Sequence, residues 1–161
     1  MFGLFKATTI KDDRLGLLTR SGRYWRGSIA LGRHGNIALS LSGGRDAPDS
    51  ASLALARELT ARYDALLAQI QAGLFEHYEP YGDTGSNEDL AEPSDPLPKI
   101  ERAGDVWPHV VVEWVRIEPL NGAPHDGPTI EIAYRVAWDE EHTIGARVQE
   151  WKLWELCGSV V

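Results

Sequence analysis

Apolar residues recur at steps of three and four through the middle of the chain, the spacing that places side chains on one face of an α-helix. Pro48-Asp49-Ser50 precedes this stripe, and Asp49 or Ser50 is a suitable N-cap. The pattern predicts one long amphipathic helix from about residue 50 to about residue 79, ending before Pro80. The stripe consists of Leu53, Ala56, Leu59, Tyr63, Leu66, Leu67, Ile70, Leu74 and Tyr78.

Short apolar runs separated by turn residues flank this helix on both sides. The runs 15–20, 23–31 and 36–41 predict a three-stranded antiparallel meander before it. After it, a β-branched run at 106–117 predicts another strand. Alternation of apolar and other residues at 129–138 predicts a strand with one buried and one solvent-exposed face. Residues 144–149 and 152–158 have the pattern of a closing hairpin.

These elements predict an α+β fold of order βββ-α-ββββ. About six or seven mostly antiparallel strands would pack on the single helix. With 161 residues the chain is long enough for one domain, taken as 1–161. Residues 82–98 are rich in Gly, Ser, Pro, Asp and Glu, which predicts a mobile acidic loop inside that domain.

Charge is unevenly distributed along the chain. Residues 1–47 carry eight basic and three acidic residues, a net +5, so the remainder carries −13 of the total −8. An acidic body disfavours nucleic-acid binding and suits a basic protein partner. Arginines and aromatics do alternate at 20–33, but parity puts Tyr24 and Trp25 on opposite faces of a strand, which argues against a nucleic-acid platform.

The composition further predicts a cytoplasmic protein. No apolar run approaches the length of a membrane span, and the apolar start of the chain is too short for a secretory signal. Cys157 is the only cysteine, so neither an internal disulfide nor a multi-cysteine metal site is expected. Nucleophile elbow, P-loop and dinucleotide-binding motifs are all missing from the sequence, and no cofactor is predicted.

The clearest candidate site is Trp138-Asp139-Glu140-Glu141-His142, which is interpreted as a tight acidic turn after the alternating strand. One interpretation is a structural hairpin loop in which Asp139 accepts backbone hydrogen bonds and His142 packs on Trp138. The other is a divalent-metal or acid–base site, since clustered carboxylates and histidine are ligands for such ions. In the metal hypothesis the ligands come from the end of the predicted helix and from the acidic turn: His77, Glu79, Glu141 and His142.

Tryptophans give a second candidate surface. Trp107, Trp114 and Trp138 are expected on strands, as core residues. Trp151 and Trp154 fall in the last hairpin, where exposed tryptophan would favour a protein contact. The turn between those strands contains Glu150-Trp151, which is unsuited to positive φ, so a longer or distorted turn is expected.

Several segments together resemble a family of small bacterial proteins known only as a domain of unknown function. The resemblance implies an α+β bacterial protein without an assigned activity. Hairpins similar to the Trp-Asp-x-Glu-His segment also occur in proteins of toxin–immunity neighbourhoods, which implies an interaction role. The segments that carry the resemblance are 1–5, 15–20, 74–81, 106–109, 137–145 and 155–160.

The sequence therefore favours a non-enzymatic cytoplasmic bacterial protein that acts through protein–protein contact, in its most specific form an acidic, immunity-like protein that masks a basic toxin. The contact surface would comprise residues 138–142, Trp151, Trp154 and the acidic loop. The alternative is a metal-dependent enzyme or small-ligand-binding protein that uses Asp139–His142. Membrane association is not expected, and the oligomeric state is left open.

Overall fold

The computed structural model describes residues 7–84 and 96–161. Within these ranges the structure has eight strands and one long helix, with two 3-10 helices at Gly32–His34 and Ala103–His109. The elements in chain order are β1 (Thr9–Asp12), β2 (Gly16–Ser21), β3 (Tyr24–Ala30), β4 (Asn36–Ser42), α1 (Ser50–Thr84), β5 (Val110–Pro119), β6 (Pro128–Val136), β7 (Asp139–Gln149) and β8 (Lys152–Cys157).

All eight strands belong to one sheet, in the spatial order of the chain from β1 to β8. Neighbours are antiparallel except β4 and β5, which run parallel because α1 returns the chain between them. The α+β prediction is confirmed. The predicted number of strands was too low, because four strands precede the helix where three were expected. The missed strand, β1, has four residues and is too short to show an alternating pattern.

The helix forms as its apolar stripe requires, and Asp49 is its cap: the Ser52 backbone N–H donates to Asp49 Oδ2 over 2.9 Å. Its end was wrongly predicted, because α1 continues through Pro80 to Thr84. Residues 82–84 of the predicted loop are therefore helical, and residues 85–95 lie outside the described chain. No helix in the described ranges is both long and apolar enough to cross a membrane.

Tertiary contacts on both sides of Pro80 explain why the helix persists. The Tyr78 hydroxyl donates to the Pro98 carbonyl over 2.8 Å. The Tyr81 hydroxyl donates to Asp139 Oδ2, also over 2.8 Å. These contacts offset the backbone hydrogen bond that proline cannot make.

The strand predicted from residue 106 begins at Val110. Residues 103–109 instead form a 3-10 helix that contains Pro108. Proline cannot donate to a sheet, and the indole N–H of Trp107 donates to Gln71 Oε1 on α1 over 3.0 Å. Trp107 is thus held against the helix, not on a strand as predicted.

Most of the second face of β6 is not solvent-exposed, contrary to the prediction; only Arg135, near the end of the strand, is exposed there. Thr129, Glu131 and Ala133 are all buried, Glu131 with only 1% of its surface exposed. Residues after β8 fold over this face, where Val160 packs on Gly145: a Cβ at position 145 would lie 2.6 Å from Val160 Cγ1. The Val160 backbone N–H donates to the Thr143 carbonyl over 2.9 Å.

Glu131 lies at the centre of an ion-pair chain on this outer face, which we call the charge ladder. Arg116 and Arg147 each approach one of its carboxylate oxygens at 2.7 Å. Each of the two arginines donates a hydrogen bond to one oxygen of Glu131, and this pairing allows the carboxylate to be buried. The ladder runs Arg23, Glu118, Arg116, Glu131, Arg147, Glu155 with alternating sign.

A longer or distorted β7–β8 turn was expected; the turn is not longer, but its backbone is unusual. Gln149 pairs with Lys152, so only Glu150 and Trp151 form the turn. Both have positive φ, 48° and 62°. That region is costly for residues with a Cβ, so tertiary contacts must hold the turn in place. The Arg62 guanidinium lies 3.9 Å from the centre of the Trp151 ring and anchors it to α1.

Glu131→Ala is expected to destabilise the protein by about 2–4 kcal/mol, since it removes the buried carboxylate between two partly buried guanidinium groups and leaves each with only its outer partner, Glu118 or Glu155. Urea unfolding gives the free-energy change. The control is Glu155→Ala at the exposed end of the ladder, which should cost less than about 1 kcal/mol. Equal losses for the two variants would contradict a central role for Glu131.

Glu150→Asn is expected to raise the free energy of unfolding by about 0.5–1 kcal/mol, because asparagine tolerates positive φ better than glutamate. Glu150→Gln is the matched control: it also removes the carboxylate that lies 3.4 Å from His125 Nε2 but keeps the backbone strain. A thermal-unfolding series in which both variants behave alike would show that the turn stores no strain.

Candidate functional site

The sequence suggested that the Asp139–His142 segment is a turn. In the structure this segment is instead the start of β7. The turn consists of Ala137 and Trp138, and β7 already begins at Asp139. Trp138 therefore lies in the turn and not on a strand. Val136 pairs with Asp139, but the next pair joins Arg135 to Thr143. Residues 140–142 have no partner on β6 and form a bulge, in which all three side chains are exposed.

Buried hydrogen bonds fix the base of this bulge. Asp139 has 8% of its surface exposed and accepts the Tyr81 hydroxyl at one oxygen. His142 Nδ1 lies 2.8 Å from its other oxygen. The Trp138 indole N–H donates to His77 Nδ1 over 3.0 Å. The last turns of α1 thus hold the β6–β7 hairpin from beneath.

The same contacts set the pKa values of the group. Burial opposes ionisation of Asp139, but the hydrogen bonds from His142 and Tyr81 outweigh it and hold the Asp139 pKa below its ordinary value. Burial lowers the pKa of His77, with the Asp139 charge acting in the opposite direction. The hydrogen bond to Asp139 raises the pKa of Tyr81. At neutral pH the site therefore holds an ionised Asp139 and a neutral His77.

The proposed metal ligands are only partly brought together. His142 Nδ1 contacts the Asp139 carboxylate and His77 Nδ1 accepts the Trp138 indole N–H, so each histidine uses its Nδ1 in a contact within the site. Glu79 and Glu141 are exposed and make no hydrogen bond to the rest of the described chain. Within residues 7–84 and 96–161, no three His, Cys, Asp or Glu side chains are placed to hold one ion.

Trp151 and Trp154 are both half-buried. The Trp151 ring is covered on one side by Arg62, and its carbonyl accepts from the Gln69 amide over 3.3 Å. Trp154 lies at a bulge in β8, where pairing shifts between Leu153 and Glu155. The final hairpin is therefore engaged with α1, and the larger exposed surface is at the β6–β7 bulge.

A groove beside the bulge extends this surface. It has a volume of about 490 Å³, and Glu140 forms part of its rim. Val111 lies in its wall with 50% of its surface exposed, which is uncommon for valine. Arg135 pairs with Val111 across the strands and approaches Glu113 at 3.4 Å. An apolar contact point thus lies in the same groove as Glu140, an acidic side chain with no ion pair to any other described residue.

Sequence reasoning missed Tyr81 and Val111. Tyr81 follows Tyr78 by three positions and so continues the helical stripe beyond Pro80, but a helix that ends before Pro80 does not include it. Val111 gave no signal, because a valine on a strand is normally a core residue.

The architecture defines an α+β protein in which a helix end clamps a bulged acidic hairpin. The chain belongs to a family described as a domain of unknown function, DUF6985, which matches residues 14–159. No match was found among curated proteins or among solved structures. The expected membership in a family of unknown function is confirmed. The likeness to toxin–immunity proteins stays a prediction.

His77 should make stability depend on pH. Its pKa is lowered in the folded state, so its contribution is present above its unfolded pKa of about 6.5 and is lost as the pH falls below that value. We expect Tm to decrease by a few degrees between pH 7 and pH 5. His77→Asn keeps an acceptor near Nδ1 but cannot titrate, so this variant should show a smaller decrease. Identical pH profiles would exclude His77 as the cause.

Proposed function

We propose that this chain is a non-enzymatic protein-interaction domain whose contact surface is the β6–β7 bulge with its adjacent groove. The observation that carries the proposal is the bulge itself. Glu140, Glu141 and His142 are exposed without strand partners, yet they follow directly on the buried, doubly hydrogen-bonded Asp139. A surface fixed before contact loses little conformational entropy on binding.

Bulges at sheet positions of this kind redirect side chains and are common at functional surfaces. Here the redirected side chains are two acids and a histidine, next to the exposed Val111. A partner would place an apolar side chain on Val111 and a basic side chain near Glu140, which forms part of the groove rim. Apolar contact with flanking charge is the usual composition of a protein contact surface.

The charge distribution supports a basic partner. Residues 48–161 carry the −13 net charge, and two of those carboxylates, Glu140 and Glu141, lie side by side in the bulge without an ion pair inside the described ranges. Electrostatic attraction of this kind accelerates association with a positively charged protein. The immunity-like form of the proposal, masking of a basic toxin in the bacterial cytoplasm, rests on this charge and on the family resemblance of the 137–145 segment.

The alternative of a divalent-metal enzyme or small-ligand protein at Asp139–His142 stays a prediction. His142 contacts the Asp139 carboxylate and His77 contacts the Trp138 indole, and both histidines use Nδ1 in these hydrogen bonds, which hold the hairpin. The interaction proposal uses the same residues as a support for the bulge and needs no ion.

Site-specific photo-crosslinking tests the proposal. A photoreactive phenylalanine analogue replaces Val111 in one variant and Leu17 in the other, in cells of the source organism. Leu17 is a matched control, since it is an equally apolar strand residue with 61% of its surface exposed. The proposal expects one adduct of defined mass from position 111 and none of that mass from position 17.

Charge reversal in the same cells distinguishes contact through the bulge from incidental proximity. Glu140→Lys with Glu141→Lys should reduce the position-111 adduct about tenfold, because opposite charges at an interface are replaced by like charges. Asp46→Lys with Asp126→Lys alters the net charge equally at remote exposed positions and should leave the adduct unchanged. An adduct insensitive to both pairs, or the same adduct from position 17, would sink the proposal.

A further inference from the structure

A second groove is lined in part by Trp107, and the proposed contact surface does not use it. It is formed where α1 passes the two 3-10 helices and has a volume of about 590 Å³, within the range of small-molecule sites of roughly 300–1,000 Å³. Its lining consists of Gly32, Arg33, Tyr63, Asp64, Leu67, Gln71 and Trp107.

The close approach of the first 3-10 helix to α1 depends on Gly32. Its φ is 46°, and a Cβ there would lie 3.1 Å from Asp64 Oδ1. Glycine at this position brings Arg33 and Asp64 to the same groove.

Arg33 and Asp64 have opposite charges and are both exposed, but neither forms an ion pair or a hydrogen bond within the described parts of the chain. This contrasts with the outer face of the sheet, where Arg116 and Arg147 are paired with carboxylates. A groove with an unpaired cation and an unpaired anion offers a partner to each end of a zwitterion.

Aromatic and apolar side chains form the remainder of the groove. The Arg33 guanidinium lies 5.2 Å from the centre of the Trp107 ring. This contact holds the guanidinium in place and leaves its N–H groups available to a ligand. Gln71 Oε1 accepts the Trp107 indole N–H, so its amide N–H groups are left to donate elsewhere. Leu67 and Trp107 supply half-buried apolar surface for a side chain.

We propose that this groove binds a free α-amino acid with an apolar side chain. Arg33 and the Gln71 amide would bind the carboxylate, Asp64 would bind the ammonium group, and the side chain would lie against Leu67 and Trp107. This inference is independent of the protein-contact proposal, since the two sites share no residue.

Titration with L-leucine, followed by the indole N–H signal of Trp107 in a ¹⁵N–¹H spectrum, tests the proposal. Trp107→Phe assigns the signal. We expect a saturable shift with a Kd on the order of 1 mM. The two half-molecules are the decisive controls: 4-methylpentanoate lacks the ammonium group and 3-methylbutylamine lacks the carboxylate. Each should bind about tenfold more weakly, because one charged contact is lost.

Variants then locate the binding site on the protein. Arg33→Gln and Asp64→Asn should each weaken L-leucine about tenfold, whereas Arg26→Gln and Asp46→Asn, the same changes at remote exposed positions, should have no effect. Unchanged indole signals from the other tryptophans show that each variant is folded. The proposal is overturned by a Trp107 signal that never moves, by a half-molecule that binds as tightly as L-leucine, or by Asp64→Asn binding that equals the wild type.

Discussion

The fold depends on one constraint: a single helix must cover a whole face of an eight-stranded sheet. Seven flat strand spacings would span about 34 Å. Yet α1 contacts the end of β1 through Arg57 and the start of β8 through Gln69, positions only about 18 Å apart along its axis. The sheet therefore curls around the helix, and both edge strands are tied to α1 by side-chain hydrogen bonds.

Among the residues that the structure describes, no helix lies on the opposite face of the sheet, and charge takes the place of apolar packing there. Glu131 is buried between Arg116 and Arg147, and the residues after β8 cover the adjoining strands with Val160. The same curvature brings the end of α1 under the β6–β7 hairpin. Asp139 accepts hydrogen bonds from Tyr81 on the helix and from His142 in the bulge, so it connects the helix to the candidate contact surface.

The two proposed sites differ in how their charges are used. At the bulge, Asp139 is buried and hydrogen-bonded, and the exposed residues 140–142 that follow it would contact a partner. At the Arg33–Asp64 groove, the charges themselves are unpaired and exposed. The first arrangement suits a large, preformed contact surface, and the second suits a small ligand that supplies both missing charges.

The sequence by itself determined the α+β class, the buried stripe and cap of the helix, the acidic charge and the residues of the candidate hairpin, because these follow from local periodicity and residue chemistry. Only the tertiary structure decided the rest. The helix continues past Pro80 because Tyr81 reaches Asp139, and Glu131 is buried because two arginines from neighbouring strands meet it. Such contacts join residues far apart in the chain, so they cannot be predicted from the local sequence pattern.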